Sequence, residues 1–277
     1  MKTSVLIPAH DEAAWLPACL DALCASDPVP GGAEVVVIAN GCSDATAEVA
    51  RAHAPRFAAR DWRLVVLELA QGGKLGALNA GEAAAAGDVL IYLDADVTVS
   101  PPLVAQITSV LDTDAPAYAS GRPNVTVPGG DPLTLAYTRF WRGIPFMTQG
   151  VPGFGVFAMN RPGRARWGAW PDIISDDTFA RLSFAPEERI SVPASFDWPM
   201  VEGLRQLVQV RRRQDRGVSE IAARYPALMA NDDSHAGADP LLRRALRDPL
   251  AFAAFALVRL AVRLPIWRNK TRWTRGR

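Results

Sequence analysis

The sequence predicts an α/β fold in which a mostly parallel central sheet carries helices on both faces. Short apolar runs rich in β-branched residues alternate with helical patterns through the first hundred residues, at the spacing of βαβ units. The 277 residues are 49% hydrophobic and 21% charged. Because this is the composition of an average globular protein, it excludes a disordered chain, a collagen-like repeat and a coiled coil.

The predicted elements alternate between strand and helix along the chain. Apolar runs predict strands at Ser4–Ile7, Glu34–Ile38, Leu64–Glu68 and Val89–Leu93. Apolar residues at helical spacing predict helices at Trp15–Leu23, Thr46–Ala54 and Leu75–Ala86. Asp44 is placed to cap the second of these helices. Beyond about Pro101 the alternation decays, and we expect the second half of one domain to cover the open edge of the same sheet.

Net charge and cysteine content indicate the kind of binding partner and the redox environment. Thirty basic residues stand against 29 acidic ones, and this net charge of +1 argues against nucleic acid as the main partner. The cysteines Cys19, Cys24 and Cys42 cannot form a disulfide framework and lack zinc-ligand spacing, which indicates a reducing compartment.

No acidic residue follows Asp248, so the tail carries a charge of +7 and the preceding 248 residues carry −6. A basic tail of this kind is typical of a surface that contacts anionic lipid.

The last apolar segment predicts an amphipathic helix. Leu250–Val258 ends at Arg259, and no stretch of the sequence reaches the roughly 20 apolar residues that span a bilayer. Arg259 and Arg263 lie four residues apart and therefore on one helix face, so the helix is suited to the headgroup plane of a membrane. The alternative is a C-terminal helix docked on the protein core. The apolar run Val5–Ala9 is too short for a secretory signal, and we expect a cytoplasmic protein, peripheral on the inner face of the cell membrane.

Two carboxylates directly follow the fourth predicted strand. Asp94 and Asp96 are spaced i, i+2, and because alternate side chains of an extended chain point the same way, both acids face one site. The site lies outside the carboxyl end of a parallel strand, where ligands bind in open sheets. Two converging carboxylates repel one another, so the pattern favours a hard divalent cation that bridges them to a diphosphate. A pair of loop acids that caps the following helix is the alternative.

Four segments in one order carry a resemblance to a known family. They are Val5–Glu12, Val37–Thr46, Gly73–Asp88 and Leu93–Asp96. Together they resemble family 2 glycosyltransferases of the GT-A fold, whose central sheet is Rossmann-like. The match covers residues 3 to 100 well and continues more loosely to about Gly217. Membership implies an inverting transfer of a sugar from a nucleotide-diphosphate donor, with Mg²⁺ or Mn²⁺ as cofactor.

The resemblance assigns roles to residues of the first half. Pro8, Ala9 and Glu12 match the first-strand loop that holds the base and ribose of the donor, and His10 in the same loop is expected to touch the nucleotide. Lys74 matches the lysine that lies near the nucleotide.

The acids of the first half follow the family less closely. Asp94 matches the residue that contacts ribose or phosphate, and Asp96 matches the residue that holds the metal. Family members usually carry two aspartates after the second strand, where this chain has Ala39 and Asn40. Asn40 is placed either to accept from the base or to cap the turn with Gly41.

A second acid pair resembles the catalytic motif of the family. Asp177 is assigned as the general base that takes the proton of the acceptor hydroxyl, and Asp176 has a supporting or acceptor-binding role. The alternative is that the two aspartates cap the N-terminus of a helix.

Two later segments complete the expected site. Gln209–Gly217 resembles the family's Gln-x-x-Arg-Trp motif, with Arg213 in the place of tryptophan, and Arg212 and Arg213 are expected to clamp the diphosphate. His235 lies in a polar loop and is proposed as an additional metal ligand, the alternative being an ordinary loop residue.

These assignments predict an organisation and a function. Residues 1–100 form the nucleotide-sugar-binding half of a GT-A domain, residues 101–230 form its acceptor-binding and catalytic half, and residues 231–277 form a flexible loop and a basic amphipathic helical tail. The function is a metal-dependent inverting transfer of one sugar from a UDP- or GDP-sugar to a lipid-linked or glycan acceptor. The alternatives are a sugar nucleotidyltransferase, which usually has a glycine-rich loop after its first strand, and a non-catalytic binding module.

Overall fold

The computed structural model describes residues 1–148, 150–233, 241–265 and 267, except for the side chains of residues 241 and 242. The chain forms two compact units. The sheet unit comprises Met1–Asn124, Gly153–Asp172 and Glu187–Trp198, and the helical unit comprises Val125–Pro152, Ile173–Pro186 and Pro199–Arg277. This division differs from the expected boundaries at residues 100 and 230, because late segments of the chain return to the sheet.

The sheet unit contains a mixed sheet with eight strands among the described residues, in the order β3-β2-β1-β4-β7-β6-β8-β5. The strands are β1 (Thr3–Ala9), β2 (Ala33–Asn40), β3 (Arg63–Leu69), β4 (Val89–Leu93), β5 (Thr98–Val99), β6 (Tyr118–Thr126), β7 (Val156–Asn160) and β8 (Arg189–Pro199). β1 pairs in parallel with β2 and β4, and β2 pairs in parallel with β3. The four strands predicted from the sequence therefore form the parallel half of the sheet. The β4–β7, β6–β7 and β5–β8 pairs are antiparallel.

Three of the four parallel strands, β1, β2 and β4, are buried along almost their whole length, whereas β3 has no fully buried residue. All eight residues of β2 are buried, including the carboxylate-bearing Glu34. Continuous burial of this kind explains why these strands appear in the sequence as unbroken apolar runs. Gly81 shows how closely a helix approaches, since a Cβ atom there would lie 2.7 Å from the Ile38 side chain.

Both units contain helices. They are α1 (Leu16–Cys24), α2 (Thr46–Ala52), α3 (Ala54–Ala58), α4 (Lys74–Ala84), α5 (Leu103–Val110), α6 (Pro132–Trp141), α7 (Pro145–Thr148), α8 (Arg161–Arg164), α9 (Asp176–Leu182), α10 (Leu204–Arg224), α11 (Leu241–Arg247) and α12 (Pro249–Arg263). Single 3-10 turns occur at Pro186–Glu188 and Pro226–Asn231. The helix predicted at Thr46–Ala54 ends earlier, at Ala52, because Pro55 begins a separate helix.

The C-terminal helix packs inside the helical unit. Phe255 of α12 stacks on Tyr137 of α6 at a centroid distance of 5.7 Å and lies 4.8 Å from Phe140. The docked alternative is therefore the arrangement that the structure has. None of the helices in the described ranges is long and apolar enough to cross a membrane.

Candidate functional site

The rim of the parallel sheet brings together a lysine and two carboxylates. Asp94 and Asp96 follow β4 and are half-buried, and the residues between and after them, Ala95 and Val97, are buried. The Val97 N–H donates to the backbone oxygen of Asp94 at 3.1 Å, so the chain turns at Ala95 and Asp96 and is not extended there, as the i, i+2 argument assumed. That both carboxylates face one site therefore stays a prediction. Lys74, the first residue of α4, donates from Nζ to Asp94 Oδ1 at 2.9 Å. The sequence-predicted Lys74 and Asp94 are thus in direct contact.

A buried thiol lies beneath this rim. Cys19 of α1 is fully buried, and its Sγ lies 3.9 Å from the backbone oxygen of Asp94. Burial raises the pKa of the Cys19 thiol, and the negative charges of Asp96 and Asp94 raise it further. Cys19 is therefore a neutral thiol in the core of the sheet unit.

The two carboxylates fit the divalent cation that the fold implies. Mg²⁺ and Mn²⁺ prefer oxygen ligands, and Mg²⁺ is usually bound by one or two carboxylates together with substrate phosphates and water. Asp96 and Asp94 supply two half-exposed oxygen-bearing groups of that kind at the edge where ligands bind. Asp96 is the residue that would hold the ion.

Asn40 has a structural role at the neighbouring strand end. Its buried side chain donates to the backbone oxygens of Ala9 (2.8 Å) and Ile38 (3.2 Å). Its Oδ1 accepts from the backbone N–H of Gly73 at 2.9 Å. Asn40 therefore ties the ends of β1 and β2 to the residue that precedes Lys74, in place of the turn cap that the sequence suggested.

The loop after β1 is held by the loop after β2. Pro8 and Ala9 end β1, opposite Ile38 and Ala39 of β2. The Glu12 N–H donates to Thr46 Oγ1 at 2.8 Å, which fixes the first-strand loop against the start of α2.

Asp44 also connects the loop after β1 to the loop after β2. Ala45 is the N-cap residue of α2, so the capping position predicted for Asp44 is wrong by one residue. The Asp44 carboxylate still accepts from the Thr46 N–H at 3.1 Å, and it also accepts from the Ala13 N–H at 3.1 Å. Asp44 therefore joins the two loops as well as the helix start.

The second acid pair lies at the start of α9 in the helical unit. Asp176 is 4% exposed, whereas Asp177 is half-buried. Asp177 Oδ1 accepts from the Thr178 N–H at 2.7 Å, and both carboxylates occupy the first turn of the helix, where its dipole favours negative charge. Asp177 is the more accessible of the two acids, and the supporting role expected for Asp176 stays a prediction.

Helix α10 holds the segment that carries this pair. Gly217 lies so close that a Cβ atom there would be 2.0 Å from Ser175 Oγ, the residue before Asp176. Glu220 Oε2 accepts from the Ile174 N–H at 2.9 Å. In the sequence, Gly217 marks only the end of a motif. The structure shows that its lack of a side chain lets α10 approach the segment that carries Asp176 and Asp177.

Arg212 is a correction to the sequence analysis. Its guanidinium donates to the backbone oxygens at the end of α12, those of Val262 (3.0 Å) and Ala261 (2.9 Å) among them. A cation at the carbonyls of the last turn caps the helix, and it stands in place of the expected diphosphate clamp. Arg213 is half-buried on α10, and its role on the diphosphate stays a prediction.

His235 lies outside the described residues. The residues just before it are anchored to α9, since the buried Arg181 pairs with Asp233 (2.7 Å) and Asp232 (3.2 Å). The Asn231 amide donates to the backbone oxygen of Leu182 at 2.9 Å. The polar loop therefore begins at the helix that carries Asp176 and Asp177.

A buried polar cluster of the sheet unit escaped sequence reasoning. Glu82 of α4 accepts from Tyr92 Oη at 2.6 Å and from the Trp170 indole N–H at 2.5 Å, and it pairs with Arg164 at 2.8 Å. Asn79 Oδ1 accepts from the Trp170 N–H at 2.9 Å. The helical spacing of Asn79 and Glu82 was the available signal, since both lie on one face of the helix that begins with Lys74.

Comparisons with known proteins agree with this architecture. The family model described as glycosyl transferase family 2 matches residues 4–167. Glycosyltransferase AglE of Haloferax volcanii is 28% identical over 137 residues, which are 50% of this chain and 44% of that protein. Dolichyl-phosphate beta-glucosyltransferase of Drosophila melanogaster is 34% identical over 125 residues, 43% of this chain and 38% of that protein. The matched regions thus span less than half the length of these curated relatives.

Solved structures show the same fold. The mannosyltransferase PcManGT from Pyrobaculum calidifontis, in complex with GDP-Man and Mn²⁺, aligns with a TM-score of 0.60 at 19% identity, over 94% of this chain and 73% of that one. TarS of S. aureus in complex with UDP aligns with a TM-score of 0.56 at 14% identity, over 89% of this chain and 72% of that one. At these identities the likeness concerns the fold, and it confirms the predicted GT-A architecture.

Proposed function

The chain belongs to glycosyl transferase family 2, and from this premise we propose that it is an inverting enzyme that moves a single sugar from a nucleotide-diphosphate sugar to a lipid-linked or glycan acceptor. The observation that carries the proposal is the carboxylate pair Asp94 and Asp96 at the end of β4, with Lys74 bound to the first of them. UDP- and GDP-sugars are the donors proposed, since structural neighbours are complexes with UDP and with GDP-Man.

The residues of the sheet unit bind and orient the donor in this proposal. The first-strand loop with Pro8, Ala9 and Glu12 holds the base and ribose, and Lys74 and Asp94 lie beside the phosphates. Asp96 would hold Mg²⁺ or Mn²⁺, whose charge would offset the negative charge of a departing diphosphate.

Asp177 activates the acceptor. A half-buried carboxylate takes the proton of the acceptor hydroxyl while the oxygen attacks the anomeric carbon from the face opposite the diphosphate, which inverts that carbon. The Thr178 N–H in the first turn of α9 holds the Asp177 carboxylate in place, and Asp176 is proposed to support it or to bind the acceptor. Arg213 is proposed to contact the diphosphate, and His235 remains a proposed additional ligand of the metal.

The enzymatic role is tested by separating donor binding from transfer. Calorimetry with UDP- and GDP-sugars in the presence of Mn²⁺ should show metal-dependent binding of one donor class. We expect Asp96→Asn to lose that binding. Asp177→Asn should retain it while the transfer rate falls by roughly 10²–10⁴-fold, the usual contribution of a general base.

The exposed Asp172→Asn variant is the matched control and should keep both properties. Transfer near the wild-type rate in Asp177→Asn would move the base elsewhere. Absence of any metal-dependent nucleotide-sugar binding in the wild type would overturn the proposed function.

We also propose that α12 contacts an anionic membrane from the cytoplasmic side. Leu250, Leu257 and Leu260 are 74%, 44% and 58% exposed. They lie seven and three residues apart, so they form one exposed apolar stripe beside the face that carries the buried residues of α12. Arg259 and Arg263 lie on the same helix, and a cavity of about 450 Å³ at its C-terminal end is lined by Arg216 and Arg263 among others. Leucines beside arginines suit the boundary between acyl chains and lipid phosphates.

Liposome binding tests the membrane contact. The basic residues after Ile266 lie in a segment outside the described side chains, so single substitutions on α12 are the sharper probe. Replacing Leu250, Leu257 and Leu260 by serine should release the protein from anionic vesicles, and added salt should weaken wild-type binding. Leu135→Ser, at a leucine of α6 that is 42% exposed, is the control. Equal binding by the triple variant and the control would contradict the contact.

A further inference from the structure

Three side chains of metal-ligand type meet where the loops after β1 and β2 approach each other. His10, Asp11 and Cys42 each offer one ligand atom, and these atoms all lie within 4.8 Å of one another. The cysteine spacing in the sequence gave no sign of this group, because two of its members come from one loop and the third comes from a loop thirty residues later.

His10 is oriented by a backbone oxygen. Its Nδ1 lies 2.6 Å from the carbonyl oxygen of Asn40. A carbonyl oxygen only accepts, so Nδ1 carries the hydrogen, and the lone pair of the neutral ring is on Nε2. A histidine whose other nitrogen donates to a carbonyl is the usual arrangement for a metal-binding imidazole.

Hydrogen bonds also fix the side chains of Asp11 and Cys42. Asp11 has a left-handed backbone, with φ of 51°, and its Oδ1 accepts from the Ser43 N–H at 2.5 Å and from Ser43 Oγ at 3.1 Å. Cys42 Sγ accepts from the Asp11 N–H at 3.4 Å. Cys42 Sγ also donates to the backbone oxygen of Ala9 at 3.5 Å, so these two contacts fix the sulfur between the loops after β1 and β2. Gly41, with φ of 60°, passes so close to Gly72 that the Cys42 loop has little freedom to move.

We propose that His10, Asp11 and Cys42 form a binding site for a borderline-soft divalent ion of the Zn²⁺ class. A thiolate, an imidazole and a carboxylate are the ligand types of zinc, and three protein ligands leave a fourth position open. Ion binding displaces the thiol proton of Cys42 to solvent, so affinity rises with pH. Mg²⁺ and Mn²⁺ prefer oxygen ligands, which separates this site from Asp94 and Asp96. The site stands on its own geometry, whether or not the proposed function holds.

Cobalt spectroscopy on the full chain tests the proposal. Co²⁺ replaces zinc in such sites, and a Co²⁺–thiolate bond gives a near-ultraviolet charge-transfer band that oxygen ligands do not give. We expect this band to appear with one equivalent of Co²⁺ in the presence of excess Mg²⁺, and to disappear on addition of Zn²⁺.

Variants assign the ligands. Cys42→Ser should abolish the band, and His10→Ala should raise the Co²⁺ dissociation constant by at least about tenfold. Cys24→Ser and Asp96→Asn should keep both the band and the affinity, which excludes another thiol and the carboxylate pair at β4. Absence of the band in the wild type, its survival in Cys42→Ser, an unchanged dissociation constant in His10→Ala, or its loss in Cys24→Ser would each overturn the site.

Discussion

Asn40 joins three segments of backbone at the edge of the sheet. One buried amide satisfies two carbonyl oxygens and one N–H group that belong to β1, β2 and the turn before α4. Because the same segments carry the proposed donor loop and Lys74, a single side chain couples the stability of the sheet edge to the geometry of the site.

Replacing Asn40 by alanine should therefore cost more than one hydrogen bond. We expect Asn40→Ala to lower the free energy of unfolding by about 1–3 kcal/mol, since buried polar groups are left unsatisfied. Urea denaturation measures the change. Asn124→Ala removes an exposed amide that donates to Asp197 at 2.7 Å, and it should change stability by less than about 0.5 kcal/mol. Equal losses in the two variants would show that Asn40 has no special role.

Individual residues also show where sequence reasoning reached its limit. The strand that ends just before Asp94 was visible in the sequence, because an apolar run is a local property. The partners of Asn40 and the meeting of His10 with Cys42 depend on contacts about thirty residues apart. Hydrophobic periodicity and residue type do not indicate which distant segments meet. Such contacts become visible only in the folded structure, where loops that follow different strands lie side by side.

At the scale of elements, the parallel half of the sheet was predictable and the antiparallel half was not. β1, β2 and β4 are buried along almost their whole length, so their apolar runs are unbroken, whereas β3 is only half-buried. β6 and β8 alternate buried and exposed residues over part of their length and are interrupted by prolines. β8 in particular reads as an edge strand or a loop in the sequence, and its place beside β6 depends on residues seventy positions away.

The docking of α12 depends on a cap supplied by another helix. Arg212 of α10 donates to the last carbonyls of α12, and Arg212→Gln should lower the free energy of unfolding by about 1–3 kcal/mol, because charged hydrogen bonds to these groups are lost. Arg216→Gln, one turn further along α10 and exposed, should have little effect. Hydrogen exchange of the α12 amides measures where the loss occurs. Unchanged protection of α12 in Arg212→Gln would contradict the cap.

At the scale of the whole molecule, several carboxylates set the response to acid. Burial raises the pKa of Glu34, but hydrogen bonds from Ser4 Oγ and the Ala86 N–H, together with the charge of Lys2, hold it below its ordinary value of 4.5. The pKa of Asp131 is lowered by hydrogen bonds from the Thr134 side chain and N–H. Glu34 lies in the sheet unit and Asp131 lies in the helical unit, so protonation at low pH should destabilise both units.

The sign of the pH dependence follows from these directions. A carboxyl whose pKa is lower in the folded state stabilises that state above its unfolded pKa, and this stabilisation is lost as the pH falls through the folded pKa. We therefore expect the free energy of unfolding to decrease steeply below about pH 4, under the ordinary values of 4.5 and 3.8 for Glu34 and Asp131. Denaturant titrations across the acid range measure the slope. Glu34→Gln should flatten it, whereas the same substitution at the exposed Glu187 should leave it as in the wild type. A slope that Glu34→Gln does not change would place the acid sensitivity in other groups.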